Sequence, residues 1–191
     1  LRLGWVNARI VLAVFECPVF ASRESSEADI SSYDEFLQDI LEILKKYEMQ
    51  VTEVEYIVQW AEDNRSYEQK YKEQMCFHMC ELFGVSHINC GLMETYSVEH
   101  TAQKLKELCG RAGSLVIGVE PMPYSGIPNV KRAWEIVKAS ECENAKIILD
   151  SWHWLRANQL IDLCVLEGIR QIRSFLFRSM MYMRERMQKM C

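Results

Sequence analysis

Several features that usually betray a protein's role are missing from this sequence. No run reaches the ~18 apolar residues that a membrane span requires. The apolar stretch from Val11 to Phe20 is interrupted by Glu16 and Pro18 and lacks a signal-peptide layout, so a cytoplasmic protein without a membrane partner is expected. Excess basic charge is also missing: 22 Lys and Arg stand against 27 Asp and Glu, for a formal net charge of −5. Nucleic-acid phosphates demand a concentrated cationic surface, and only Arg178 to Lys189 is locally basic, so no nucleic-acid partner is expected. No glycine-rich phosphate loop of the dinucleotide or Walker type follows any apolar run.

Zinc spacing is lacking as well. In CFHMC, Cys76 and Cys80 stand one helical turn apart with His78 turned away from them, and no second Cys/His pair lies at zinc spacing. The eight cysteines, at 17, 76, 80, 90, 109, 142, 164 and 191, are dispersed through apolar patterns, as in a reduced intracellular protein that uses cysteine as a small hydrophobe.

What is present is ordinary globular material. With 191 residues, 49% hydrophobic and 26% charged, the chain reads as a single domain over 1–191. RIVLAVF (9–15) reads as a strand, and Ser32 as the cap of a helix over 33–48 whose Phe36, Leu37, Ile40, Leu41 and Leu44 share a face. VTEVEYIV (51–58) is a strand. After the polar loop AEDNRS, a helix over 66–83 turns Tyr67, Tyr71, Met75, Met79 and Leu82 inward and stops at Gly84. VSHINCG (85–91) is the next strand, and a helix opened by Ser97 ends near Gly110 or Gly113. SLVIGVE (114–120) follows; the proline-rich loop PMPYSGIP then delays helix until Asn129 caps one with Val130, Ala133, Trp134 and Val137 inward. IILD, a helix near 156–166 and the apolar GIRQIRSFLF complete the chain.

Strand and helix thus alternate at roughly 30-residue intervals, the pattern of right-handed βαβ units around a parallel sheet. The fold class is α/β. Polar residues recur within strands or at their carboxyl ends: Glu53 and Glu55, His87 and Asn89, Glu120, Asp150. Successive parallel strands bring such residues to one face of a barrel, where barrel enzymes hold their chemistry.

VIGVE and IILD are the sharpest cases, since each buries aliphatic residues and then sets one carboxylate at the rim. Neighbouring strands would bring Glu120 and Asp150 within range of a shared divalent cation that offsets their repulsion. Oxygen donors with an imidazole, His153, nearby suit Mn, Mg, Co or Zn. Taken singly, each carboxylate also reads as the cap of the helix that follows it.

VEPMPYSGI, followed some twenty-five residues later by IILDSWHWLRAN, resembles the sugar phosphate isomerase/epimerase family of xylose isomerase-like TIM barrels; VTEVEYIVQW and FGVSHINCG resemble its earlier strands. The resemblance covers roughly residues 35 to 160. It implies a (β/α) barrel with metal ligands at Glu120 and Asp150, and with His153 serving the substrate's oxygens. It also implies that Glu120 exchanges a proton beside a ketose carbonyl, through an enediolate, on a small sugar or sugar phosphate. His87 and Glu55, placed in the same mouth, read as substrate contacts, with a hydrogen-bonded core histidine the equal alternative for His87; Trp152 and Trp154 read either as a wall of the sugar pocket or as packing.

The chain departs from that pattern at both ends, in residues 1–32 and 174–191. A barrel has eight strand-helix units, whereas about six strands can be read here. Two further ligands of the family, a polar residue on the next strand and a glutamate on the last, have no counterpart; Arg173 falls near the first. A partial barrel exposes sheet edges, which terminal segments or self-association into a homo-oligomer would cover. A non-catalytic remnant of such a barrel and, on more ligands than are visible, an endonuclease-type phosphodiesterase are the alternatives to an isomerase.

Overall fold

The structure, a computed structural model, describes residues 9–13, 27–157 and 175–178. Six strands form one sheet: β1 (Arg9–Ala13), β2 (Gln50–Ile57), β3 (His87–Cys90), β4 (Val116–Val119), β5 (Ala145–Asp150) and β6 (Phe175–Arg178). They lie in chain order, and every neighbouring pair is parallel. The helices are α1 (Glu27–Lys46), α2 (Tyr67–Phe83), α3 (Val98–Ala112), α4 (Val130–Ser140) and the short α5 (Ser151–Arg156). A helix returns the chain between each pair of strands from β1 to β5, which makes this a partial (β/α) barrel.

The strands sort their side chains by period two. Val54, Ile57, Ile88, Cys90, Ile117, Val119, Ala145 and Ile147 join the apolar core under the helices. Met75, Cys76, Met79 and Cys80 of α2, Leu105, Leu108 and Cys109 of α3, and Val130, Ala133, Ile136 and Val137 of α4 meet them. The opposite parity carries Glu53, Glu55, His87, Asn89, Gly118, Glu120, Ile148 and Asp150. Of these, Glu55, Asn89, Glu120 and Asp150 are buried despite their polarity. The barrel's inner face is therefore a polar interior lined from four adjacent strands.

Local signals explain most helix limits. Ser66 and Gln69 form a reciprocal capping box on α2, Ser97 caps α3 through His100 N–H, and Asn129 caps α4 through Arg132 N–H. Gly84 closes α2 in the left-handed region at φ 66°, where a side chain would be strained. Gly113, not Gly110, ends α3.

Two expectations need correction. The first helix starts at Glu27, not after Ser32; nothing in EADISS breaks a helix, and the acidic residues favour its positive end. Tyr67 is 70% exposed and stacks on Tyr71 rather than lying in the core. α5 begins directly at Ser151, since Asp150 caps it without any loop; most of the helix expected near 156–166 lies outside the described residues. Ile136, unassigned from sequence, is fully buried. Of the described helices, none is long and apolar enough to cross a membrane.

Candidate functional site

Glu120 is the first residue beyond β4, and its backbone N–H donates to Cys90 O at 2.8 Å, which fastens the rim of β4 to that of β3. Its side chain is 3% exposed. Asp150 is the last residue of β5. Its Oδ1 accepts from Trp152 N–H at 2.7 Å and His153 N–H at 3.1 Å, so the capping role read from sequence is real and fixes the carboxylate's orientation. Because α5 starts at once, its first turn folds His153 back over the rim. The imidazole Nε2 then stands 3.9 Å from Glu120 Oε1.

One potential ligand atom from each of Glu120, Asp150 and His153 lies within 4.8 Å of the other two, the sole such His/Cys/Asp/Glu group among the described residues. Two buried carboxylates at this spacing repel one another, and a cation between them relieves that repulsion. The oxygen, oxygen, nitrogen donor set fits a divalent metal of the Mg, Mn, Co or Zn type. Asp150, His153 and Trp154 also border a small cavity with Pro121, Asn129 and Leu149.

The loop after Glu120 is tied down rather than free. Ser125 Oγ lies 2.8 Å from Met122 O and accepts from Ile127 N–H at 3.1 Å, while Gly126 N–H donates to Leu92 O at 2.8 Å. This holds Tyr124 edge-on to His153, with ring centroids 5.7 Å apart and an angle of 71°.

Other site residues read from sequence are placed differently. Register pairs His87 with Val116, four residues before Glu120 and so roughly 13 Å deeper along the strands. There His87 Nε2 is 3.5 Å from Glu53 Oε2, and Asn89 Nδ2 donates to the same oxygen at 3.0 Å. Glu55, 8% exposed, is level with Asn89, one layer below Glu120. His87 and Glu55 are thus inside the barrel but below its mouth. Trp152 is 49% exposed, with its ring against the Arg156 guanidinium at 3.2 Å, while Trp154 packs on the core and borders the cavity.

Tyr56 escaped the sequence reading. Glu55 pairs with Asn89 but Ile57 with Cys90, so β2 carries one extra residue there, a bulge that turns the Tyr56 ring across Gly91. Burial first, then the charge of Glu120, pushes its phenol pKa well up, so it keeps its proton at neutral pH. Only the pairing with β3 reveals the bulge, and no residue in VTEVEYIV announces it.

The cluster of two carboxylates and a histidine thus lies where the strands of a parallel α/β barrel end, the face on which barrel enzymes place their active sites. The chain belongs to the xylose isomerase-like TIM barrel family, whose model matches residues 13–178. It is similar in fold to the IolI protein solved with a zinc atom, at 19% identity over 76% of this chain and 54% of that one, TM-score 0.54. It is also similar to a probable 3-DHS dehydratase, AsbF of Bacillus anthracis, at 14% identity over 85% and 70%, TM-score 0.55. A third likeness is to a xylose isomerase-like TIM barrel protein of Mycobacterium smegmatis in complex with magnesium, at 11% identity over 78% and 54%, TM-score 0.54. The chain spans about half the length of most of these solved relatives, and less of some others. A search of curated proteins finds no match.

Proposed function

We propose that this chain binds one divalent cation through Glu120, Asp150 and His153 and acts on a small sugar or sugar phosphate as an isomerase or epimerase. The observation that carries the reading is the convergence of those three side chains within 4.8 Å at the carboxyl rim of β4 and β5. Solved relatives that hold zinc or magnesium support the cation, and the family supports the reaction class.

Each residue has a part that its position suits. A bound divalent cation would supply the positive charge that stabilises a developing enolate-type oxygen. Asp150, its orientation fixed by two backbone N–H groups, supplies a rigid carboxylate. Glu120, buried and beside His153, supplies a carboxylate that can take and return a proton at the carbon next to a carbonyl. His153, edge-on to Tyr124, orients a substrate oxygen or completes the cation's ligands. Trp154 bounds the cavity beside them.

The test has two stages. Manganese at millimolar concentration should raise the thermal midpoint of the parent chain, and the gain should vanish in Glu120→Gln and Asp150→Asn. With metal bound, a ketose should take up deuterium from solvent at the carbon beside its carbonyl. No stabilisation by any of the four metals would sink the reading. A second reading, a cation-binding remnant without turnover, is favoured by the count of three donors among the described residues. Stabilisation without deuterium uptake from any ketose would select it.

A further inference from the structure

We infer that Tyr56 is a substrate-binding residue of this site, its phenol hydroxyl serving as the donor to an oxygen of a polyhydroxylated ligand bound over Glu120. The inference rests on the proposed reading of the site and adds a specificity residue to it.

Three observations point the same way. First, the extra residue in β2 is Tyr56 itself, placed between the Glu55–Asn89 and Ile57–Cys90 pairs, and a bulge at a strand's carboxyl end serves to re-aim a side chain. Second, the chain makes room for the re-aimed ring. A Cβ on Gly91 would overlap Tyr56 Oη and come within 2.9 Å of its Cζ, so glycine at 91 is what lets the phenol cross from β2 towards the segment that follows β4.

Third, the hydroxyl ends on a poor partner. It lies 4.0 Å from Met122 Sδ, two residues past Glu120, and a thioether is a weak acceptor. The Tyr124 hydroxyl reaches the same sulfur more closely, at 3.4 Å. A part-buried O–H offered to a shared sulfur gains little over water, whereas an oxygen acceptor at hydrogen-bond distance restores a full bond. A sugar hydroxyl or carbonyl beside Glu120 is such an acceptor. Burial first, and the Glu120 charge next, raise the phenol pKa, which suits the hydroxyl to donate and not to act as a base.

The experiment uses the whole chain with manganese, and D-fructose, D-xylulose and fructose 6-phosphate as probes, with affinities measured by calorimetry. Tyr56→Phe keeps the ring over Gly91 and removes only the oxygen. It should leave the thermal midpoint and the manganese affinity within twofold of the parent while weakening the best probe roughly five- to tenfold, the worth of one neutral hydrogen bond. Gly91→Ala, which displaces the ring, should weaken that probe at least as much, whereas Tyr124→Phe should weaken it less. If the parent binds a probe and Tyr56→Phe binds it equally well, the inference is overturned and the cation site stands. If manganese binds but no probe does, polyol recognition by Tyr56 is overturned. If manganese itself fails to bind, the failure belongs to the cation reading beneath it.

Discussion

His153 Nε2 sits 3.9 Å from Glu120 Oε1 across the rim between β5 and β4, although the chain between the two residues runs out through α4 and back along β5. Asp150 sets that distance by capping α5. Its two tasks can be separated. Asn caps helices as well as Asp does, so Asp150→Asn should hold the metal-free stability within about 0.5 kcal/mol while abolishing stabilisation by manganese. Asp150→Ala should lose both, with about 1 kcal/mol from the cap. Urea unfolding with and without metal checks this; equal loss of metal-free stability in the two variants would refute the division.

Glu73 is 3% exposed and is gripped from two sides. Arg65 Nη1 approaches its Oε2 at 2.8 Å, while Arg111 places Nε 2.6 Å from Oε1 and Nη2 3.0 Å from Oε2. Arg65 is itself 8% exposed, so Glu73→Gln leaves a buried guanidinium without its counter-charge. The expected cost is about 3 kcal/mol in urea unfolding, at the low end for broken buried pairs because Arg111 is 39% exposed. A cost under about 1 kcal/mol would show the network to be dispensable.

The glycines at 118 and 126 divide by what surrounds them. A Cβ on Gly118 would meet the flexible tip of Ile148, at 2.5 Å from Cδ1, whereas one on Gly126 would overlap the backbone carbonyl of Glu94. A side-chain tip can turn aside; a carbonyl fixed in a loop cannot. Gly118→Ala should therefore cost about 1 to 3 kcal/mol, and Gly126→Ala distinctly more. Comparing the two denaturation midpoints decides it, and the reverse order would be fatal.

Burial pushes the thiols of Cys76, Cys80 and Cys109 from the ordinary 9.0 up to about 12. The folded state therefore keeps protons that the unfolded chain releases, so stability is unaffected below pH 9 and falls between pH 9 and about 12. For Cys76 alone the slope is about 1.4 kcal/mol per pH unit. At pH 8, native-state alkylation followed by peptide mass spectrometry should mark Cys142 well before these three. Fast labelling of Cys76 in the folded chain would contradict its burial.

The barrel was legible because strand and helix patterns alternate, with short apolar runs at β4 and β5 and explicit helix caps at Ser66, Ser97 and Asn129. Glu120 and Asp150 stood out because each ends an aliphatic run on a carboxylate, although that pattern also fits a helix cap, as it does at Asp150. Depth was not legible. His87 and Glu55 have the right residue types, yet their height in the barrel depends on register between strands, which pattern alone does not contain. Tyr56 was hidden more completely, since a bulge exists only as a mismatch between two partners. The early start of α1 shows the opposite weakness, a cap signal at Ser32 overridden by helix-compatible residues on both sides.

Sheet order that repeats chain order has a consequence for assembly. Each described strand docks on the one made just before it, and from β1 to β5 every closure spans a single helix and two connections. A nascent chain leaving the ribosome can lay down such a sheet from one side to the other as synthesis proceeds. The proposed cation site falls late in that order, because its third side chain emerges only after the fifth strand.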